Sequence, residues 1–181
     1  MKEFDHILSE IQSVLQKVQP EAALKLISML QSGRTVFLVG EGRSGFMAKS
    51  FAMRLHHLGV SVFVVGETIT PSIKEGDVLI AVSGSGTSAA VLSAAKKSIE
   101  AKAEVWAVTA NAESPLAQTA NEILHVEAAT RYRKEHESKS VQPLGSLFDQ
   151  CCHIVFDAIC LRYASELQVA HSEAFNRHTN L

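Results

Sequence analysis

Thr35-Val36-Phe37-Leu38-Val39 runs straight into Gly40-Glu41-Gly42-Arg43-Ser44-Gly45, and Val78-Leu79-Ile80-Ala81-Val82 runs straight into Ser83-Gly84-Ser85-Gly86-Thr87-Ser88. Each unit is a short continuous apolar run closed by a Gly/Ser loop. Runs of that length bounded by turn residues read as strands buried on both faces. A helix-sized stretch follows each loop, near Ser44–Leu58 and Ser88–Ala101. Strand, tight loop and helix in repetition predict an α/β fold with a parallel sheet covered by helices, a flavodoxin-like three-layer αβα arrangement. Ligands of such sheets sit beyond the carboxyl ends of the strands, where both loops fall.

Outward from these units the pattern continues. Val60–Val65, Val105–Thr109 and Ile123–Val126 read as three further strands, five in all. Ser114-Pro115 opens a short helix, serine as N-cap and proline at the first position. Before the sheet, Phe4, Ile7, Leu8, Ile11, Val14, Leu15 and Val18 recur at helical spacing. A second helix spans about Glu21 to Leu30, begun by Pro20. Glu127–Gln142 is polar without an apolar period and reads as a loop able to close over a ligand. A long helix is predicted from Ser146 to Ala164, then a short helix or tail in Gln168–Leu181. No linker divides the chain, which predicts one domain over 1–181: N-terminal helices in 1–32, sheet and helices in 33–166, and a C-terminal tail in 167–181.

The 181 residues are 46% hydrophobic and 20% charged, enough for a sizeable core. A net charge of −2 provides no basic face for nucleic acid or membrane surfaces. No apolar run approaches the roughly 20 residues that span a bilayer. The start, Met1-Lys2-Glu3-Phe4-Asp5-His6, does not read as a signal segment. Cys151, Cys152 and Cys160 are odd in number and two are adjacent, a poor disulfide framework. The expectation is a cytoplasmic protein.

Glycines let a backbone approach a ligand closely, and helix N-termini present amides to anions. The hydroxyls of Ser44, Ser83, Ser85, Thr87 and Ser88 add neutral donors, so the loops predict a phosphate site. Gly42 and Gly84 let backbone approach the bound molecule. The bland alternative is two tight turns whose serines are N-caps. Gly40, Gly42 and Gly45 also match the dinucleotide fingerprint G-x-G-x-x-G, with Glu67 about 20 residues later as the ribose acid. That NAD(P) reading leaves Ser83–Ser88 unexplained.

At these residues the chain resembles the sugar isomerase (SIS) domains, which carry a first loop ending in serine and an S-x-S-x-x-[ST] loop after a later strand. Ser44, Ser83, Ser85 and Ser88 match. Ser88 stands where threonine is frequent, and Thr87 where an acid is frequent. Within that group the chain resembles the 6-phospho-3-hexuloisomerases. The resemblance rests on Gly42-Arg43-Ser44-Gly45, Phe51-Ala52-Met53-Arg54-Leu55-His56-His57-Leu58-Gly59, Val65-Gly66-Glu67-Thr68-Ile69-Thr70-Pro71, Gln142-Pro143-Leu144-Gly145-Ser146-Leu147-Phe148 and Arg177-His178-Thr179-Asn180-Leu181. It implies interconversion of 3-hexulose 6-phosphate and fructose 6-phosphate, no metal or organic cofactor, and a homotetramer. A different SIS isomerase, acting on an arabinose or heptose phosphate, and a sugar-phosphate sensor module are the competing readings.

Moving a carbonyl between C2 and C3 needs a base, a donor to the enediolate oxygen and a group returning the proton. By resemblance Asp149 is the base, standing where the family has glutamate and one methylene shorter. The competing reading makes Ser146-Leu147-Phe148-Asp149 a capping box, serine at the N-cap. His57 and His178 match family histidines and are candidates for proton transfer or carbonyl polarisation. Either can equally be structural. His56 lies on another face of the helix. Arg43 would neutralise phosphate or enediolate charge. Glu67 would bond sugar hydroxyls or pair with an arginine. His153 and Asp157 share a helix face, but the cysteines do not complete a metal site and read as core. Arg131-Tyr132-Arg133-Lys134 is followed by Glu135 and Glu137 and reads as a solvated loop.

Overall fold

A computed structural model describes residues 1–135 and 137–180. Two helices, α1 (Lys2–Leu15) and α2 (Pro20–Leu30), precede β1 (Val36–Gly40). Then follow α3 (Gly42–His57), β2 (Val62–Val64), β3 (Val78–Val82), α4 (Ala89–Glu100), β4 (Glu104–Thr109), α5 (Pro115–Thr119), β5 (Glu122–His125), α6 (Ser146–Glu166) and α7 (His171–Asn176). The five strands form one parallel sheet in the order β2-β1-β3-β4-β5. The chain therefore turns one way after β1 and the other way after β3, and the crevice at this reversal lies between the two Gly/Ser loops.

Successive strand residues face opposite sides, and both sides are covered. Val36, Leu38, Val78, Ile80, Val82, Trp106 and Val108 pack under α1, α2, α3 and α6. Phe37, Val39, Leu79, Ala81, Val105 and Ala107 pack under α4 and α5. This double cover is why β1, β3 and the centre of β4, Val105–Val108, are apolar throughout. α3 meets α6 through Phe51 and Phe156, whose rings stack 4.2 Å apart and 4° from parallel.

The edge strand β2 is shorter than the expected Val60–Val65. It pairs only with β1, and its residues are half-buried. Val60 is held instead by the end of α3, its amide donating to Leu55 O (3.0 Å). β5 begins one residue before the expected Ile123, and Val126 falls outside it although its amide still bonds Thr109 O. α3 begins two residues earlier than Ser44, because Gly42 at φ +57° absorbs the turn and Gly45 N reaches Glu41 O (3.1 Å). No helix among the described residues is long and apolar enough to cross a membrane.

Candidate active site

Gly40 and Gly45 bring α3 onto the end of β1. A Cβ on Gly45 would meet Gly40 O at 2.7 Å, so only glycine allows the first turn of α3 to start here. The second loop turns at Gly86, φ +64°, where a Cβ would fall 2.0 Å from Ser114 Oγ. Its conformation is held internally. Ser83 is buried, and its hydroxyl accepts from Gly86 N (3.2 Å); the Ser85 and Thr87 hydroxyls bond each other (2.9 Å). Ser88 caps α4, accepting from Val91 N (3.5 Å).

The third wall comes from α6. Phe148 is buried with its ring against the bare backbone of Gly84, where a Cβ would lie 3.0 Å from Phe148 Cδ1. Burying this ring contributes roughly 2–3 kcal/mol and keys the start of α6 to the second loop. The next residue, Asp149, is thereby delivered to the crevice. Its carboxylate accepts from Ser44 Oγ (2.9 Å) and from Arg43 Nε (3.2 Å). These are also the residues that the first loop presents.

The result is a cavity of about 470 Å³, within the range of small-molecule sites. It is lined by both loops and by Thr130, Arg131, Leu144, Gly145, Phe148 and Asp149. Gly42, Arg43, Ser44, Ser83, Gly84, Ser85, Thr87, Ser88 and Asp149 thus meet at one place. Ser44, expected among the phosphate donors, has its hydroxyl on the Asp149 carboxylate. The capping box does not form: Gly145 is the N-cap of α6, Ser146 lies inside the helix, and no side chain caps it. The Asp149 side chain turns away from its own helix end toward α3.

Asp149 is only 4% exposed, and burial pushes its carboxyl above the ordinary aspartate range. The Ser44 hydrogen bond and then the Arg43 guanidinium pull the other way, each favouring the ionised form. Were Asp149 to act as a base it would have to be deprotonated, and activity should then fall as the pH drops through this pKa. Removing Arg43 raises the pKa further. Arg43→Gln is therefore expected to move the acid limb of kcat/KM to higher pH, as a pH-rate profile would read.

His57 and His178 lie elsewhere. They pack together at the far end of α3, ring centroids 5.1 Å apart and planes tilted by 34°, with Arg177 Nη1 donating to His57 O (3.2 Å). Fifteen residues of helix separate His57 from Gly42, about 22 Å. Burial, then the neighbouring His178, Arg54 and His56, hold His57 below its ordinary pKa, so it is biased toward the neutral form. Glu67 does not line the cavity and accepts from Lys49 Nζ (2.7 Å), a lysine rather than an arginine. Leu181, the last residue of the ending block, lies outside the described residues.

Three polar wall residues, Glu41, Thr130 and Arg131, were not singled out individually as site residues in the sequence. Glu41 stands between two glycines, and its carboxylate accepts from Ser88 Oγ at the cavity wall. It was legible as the only acid in either loop. Thr130 and Arg131 belong to an irregular segment, and nothing local signals where it runs. Among the described residues no group of three metal-ligating side chains comes together. His153 and Asp157 pair along α6 (3.5 Å). The three cysteines are buried, and burial pushes Cys151 and Cys160 up to about 12.

Residues 29–151 match the family described as SIS domain, and they include both loops and Asp149. The chain belongs to the SIS-domain family. It is 35% identical to the 3-hexulose-6-phosphate isomerase of Bacillus subtilis, covering 97% of this chain and 95% of that one. It is 37% identical to the enzyme of the same name from Mycobacterium gastri, covering 97% and 87%. Among solved structures it is similar to a Methanococcus jannaschii protein for which a 3-hexulose-6-phosphate isomerase function is inferred. That match has 30% identity, a TM-score of 0.88, and covers 100% of this chain and 99% of the other. The SIS-domain assignment decides against the dinucleotide reading of Gly40–Gly45.

Proposed function

We propose that this protein is an isomerase interconverting D-arabino-3-hexulose 6-phosphate and fructose 6-phosphate, within the ribulose monophosphate route of formaldehyde fixation or detoxification. The observation that carries this is the Asp149 carboxylate, buried and steered by Ser44 and Arg43, in the same cavity as the Ser83–Ser88 loop. Near full-length similarity to relatives named for this reaction supports it.

The second loop holds the phosphate through amides and hydroxyls. Asp149 takes the proton from C2 of the 3-ketose, the electrons pass into a 2,3-enediolate with its charge on O3, the hydroxyl proton passes from O2 to O3, and the carbon-bound proton returns to C3 as the C2 carbonyl forms. No net oxidant or reductant is consumed. Arg43 stabilises the enediolate oxygen as charge develops. His57, at the far end of α3, and His178 packed against it are too far away to serve this cavity in their own chain. We assign them to the proton on a sugar hydroxyl in a neighbouring copy's site, within a cytoplasmic homotetramer.

Chelator-treated protein is expected to convert 3-hexulose 6-phosphate to fructose 6-phosphate. Isomerisation of arabinose 5-phosphate with no hexulose turnover would overturn the assignment. A further expectation concerns Glu41, which engages Ser88 and places negative charge beside an incoming dianion. Glu41→Ala should lower the KM about threefold, in keeping with up to ~1 kcal/mol for an exposed charge interaction, as steady-state kinetics would show.

A further inference from the structure

Resting on the reading of the cavity as a sugar-phosphate site, we propose that Arg131 binds the substrate's phosphate and that Glu10, far away on α1, is its positioning residue. The argument starts from charge. The second loop offers the phosphate only neutral donors, and two carboxylates, Glu41 and Asp149, share the cavity. Two guanidinium groups line it, Arg43 and Arg131. Arg43 is engaged with Asp149. Among the described residues no carboxylate pairs with Arg131. Its Nη2 donates to the Tyr132 hydroxyl (2.7 Å), and its guanidinium lies over the Tyr132 ring, 4.8 Å from the centroid. That neutral partner fixes the side chain without cancelling its charge. The phenol of Tyr132 also interacts with Thr87, so the pair abuts the phosphate loop directly.

The path of residues 127–135 and 137–145 is set from α1 and the residues just after it. The Glu10 carboxylate accepts three hydrogen bonds: from Ser140 Oγ (2.7 Å), Val141 N (2.7 Å) and Gln142 Nε2 (3.0 Å). Arg133 Nη2 then donates to Gln142 O, tying the anchored end back to the residues beside Arg131. Glu137 accepts from Thr130 N (2.7 Å) and Thr130 Oγ1 (2.6 Å), fixing the residue immediately before Arg131. At the other end Lys17 Nζ meets Glu127 Oε1 (2.6 Å). The described residues of the segment predicted as a loop able to close are thus held as a strap to Glu10 of α1 and to Lys17 just beyond it, and Arg131 is presented at its inner edge.

The test uses the full chain and two probes, inorganic phosphate by calorimetry and 3-hexulose 6-phosphate by steady-state kinetics. Arg131→Ala should weaken phosphate binding and raise the KM about tenfold, the scale of a lost charge-assisted hydrogen bond, with a smaller fall in kcat. It should also flatten the rise of KM with ionic strength. Arg131→Lys should recover part of the loss, since a lysine restores charge but not the planar fork. Glu10→Gln should raise KM in the same direction by a smaller factor, and add nothing in the Arg131→Ala background. Unchanged phosphate affinity and KM in Arg131→Ala would overturn the assignment. A Glu10→Gln protein that only melts lower, or whose effect adds in full to Arg131→Ala, would overturn the positioning role. Phosphate calorimetry is independent of the sugar. Wild-type protein that binds phosphate but leaves the hexulose phosphate unchanged would sink the isomerase reading alone.

Discussion

Asp149→Asn is expected to lower kcat about a thousandfold while leaving KM nearly unchanged and the fold intact. The magnitude follows from the contribution of a positioned general base, about 10² to 10⁴ in rate. Asparagine keeps the volume of the side chain and an oxygen to accept from Ser44, but it cannot take a proton from C2. The phosphate loop is untouched, so binding persists. Stability gives a control with a definite sign. Burial raises the Asp149 pKa in the folded protein. The stabilising contribution of such a group is present below its unfolded pKa and is lost as pH rises through the folded pKa. At neutral pH the ionised carboxylate is therefore carried at a cost that asparagine does not incur. The variant should melt at the same temperature as the parent or higher. A kcat within tenfold of the parent would exclude Asp149 as the base.

Gly45→Ala should be strongly destabilising. Its Cβ would stand 2.7 Å from Gly40 O and 3.1 Å from Gly40 C, both backbone atoms that have no rotamer to escape into. Relief requires α3 to move off β1. Overpacking of this kind costs about 1–3 kcal/mol, and in a chain of this size about 3 kcal/mol lowers the melting temperature by roughly 6–12 °C. Because α3 carries Arg43 and Ser44, activity should drop with it. Gly42→Ala makes a useful contrast. Nothing lies within 4 Å of its added methyl group, so only the positive φ is strained, at about 1–2 kcal/mol. Thermal denaturation of the two variants separates close approach from backbone strain. Equal melting points would refute the packing argument.

The strand–loop–helix units were legible because their signals are local. An apolar run buried on both faces, a glycine where backbone meets backbone, and a serine at a helix start each leave a mark within a few residues. Phosphate-loop residues from Gly42 to Ser88 met in one cavity for the same reason: parallel strands put their loops at one edge. Asp149 reached that edge through a contact 64 residues apart, Phe148 on Gly84, which no spacing encodes. Its local context read as a capping box, and Gly145 took the N-cap instead. Histidine 57 illustrates the opposite case. Helix geometry alone carries it to the far end of α3, away from the loops. Arg131 sat in a run that looked solvated, because the hydrogen bonds that route it come from α1, more than a hundred residues earlier.

The two hydrophobic clusters have one more consequence. α3 belongs to the cluster on one face of the sheet and α4 to the cluster on the other. Their N-termini meet only at the crevice, on either side of the substrate. A bound sugar phosphate is then a rivet through the sheet: it adds to the Glu41–Ser88 hydrogen bond a second fastening between two layers that the strands keep apart. Substrate would suppress opening of both layers together, and the energy of binding would be felt well away from the carbons that react.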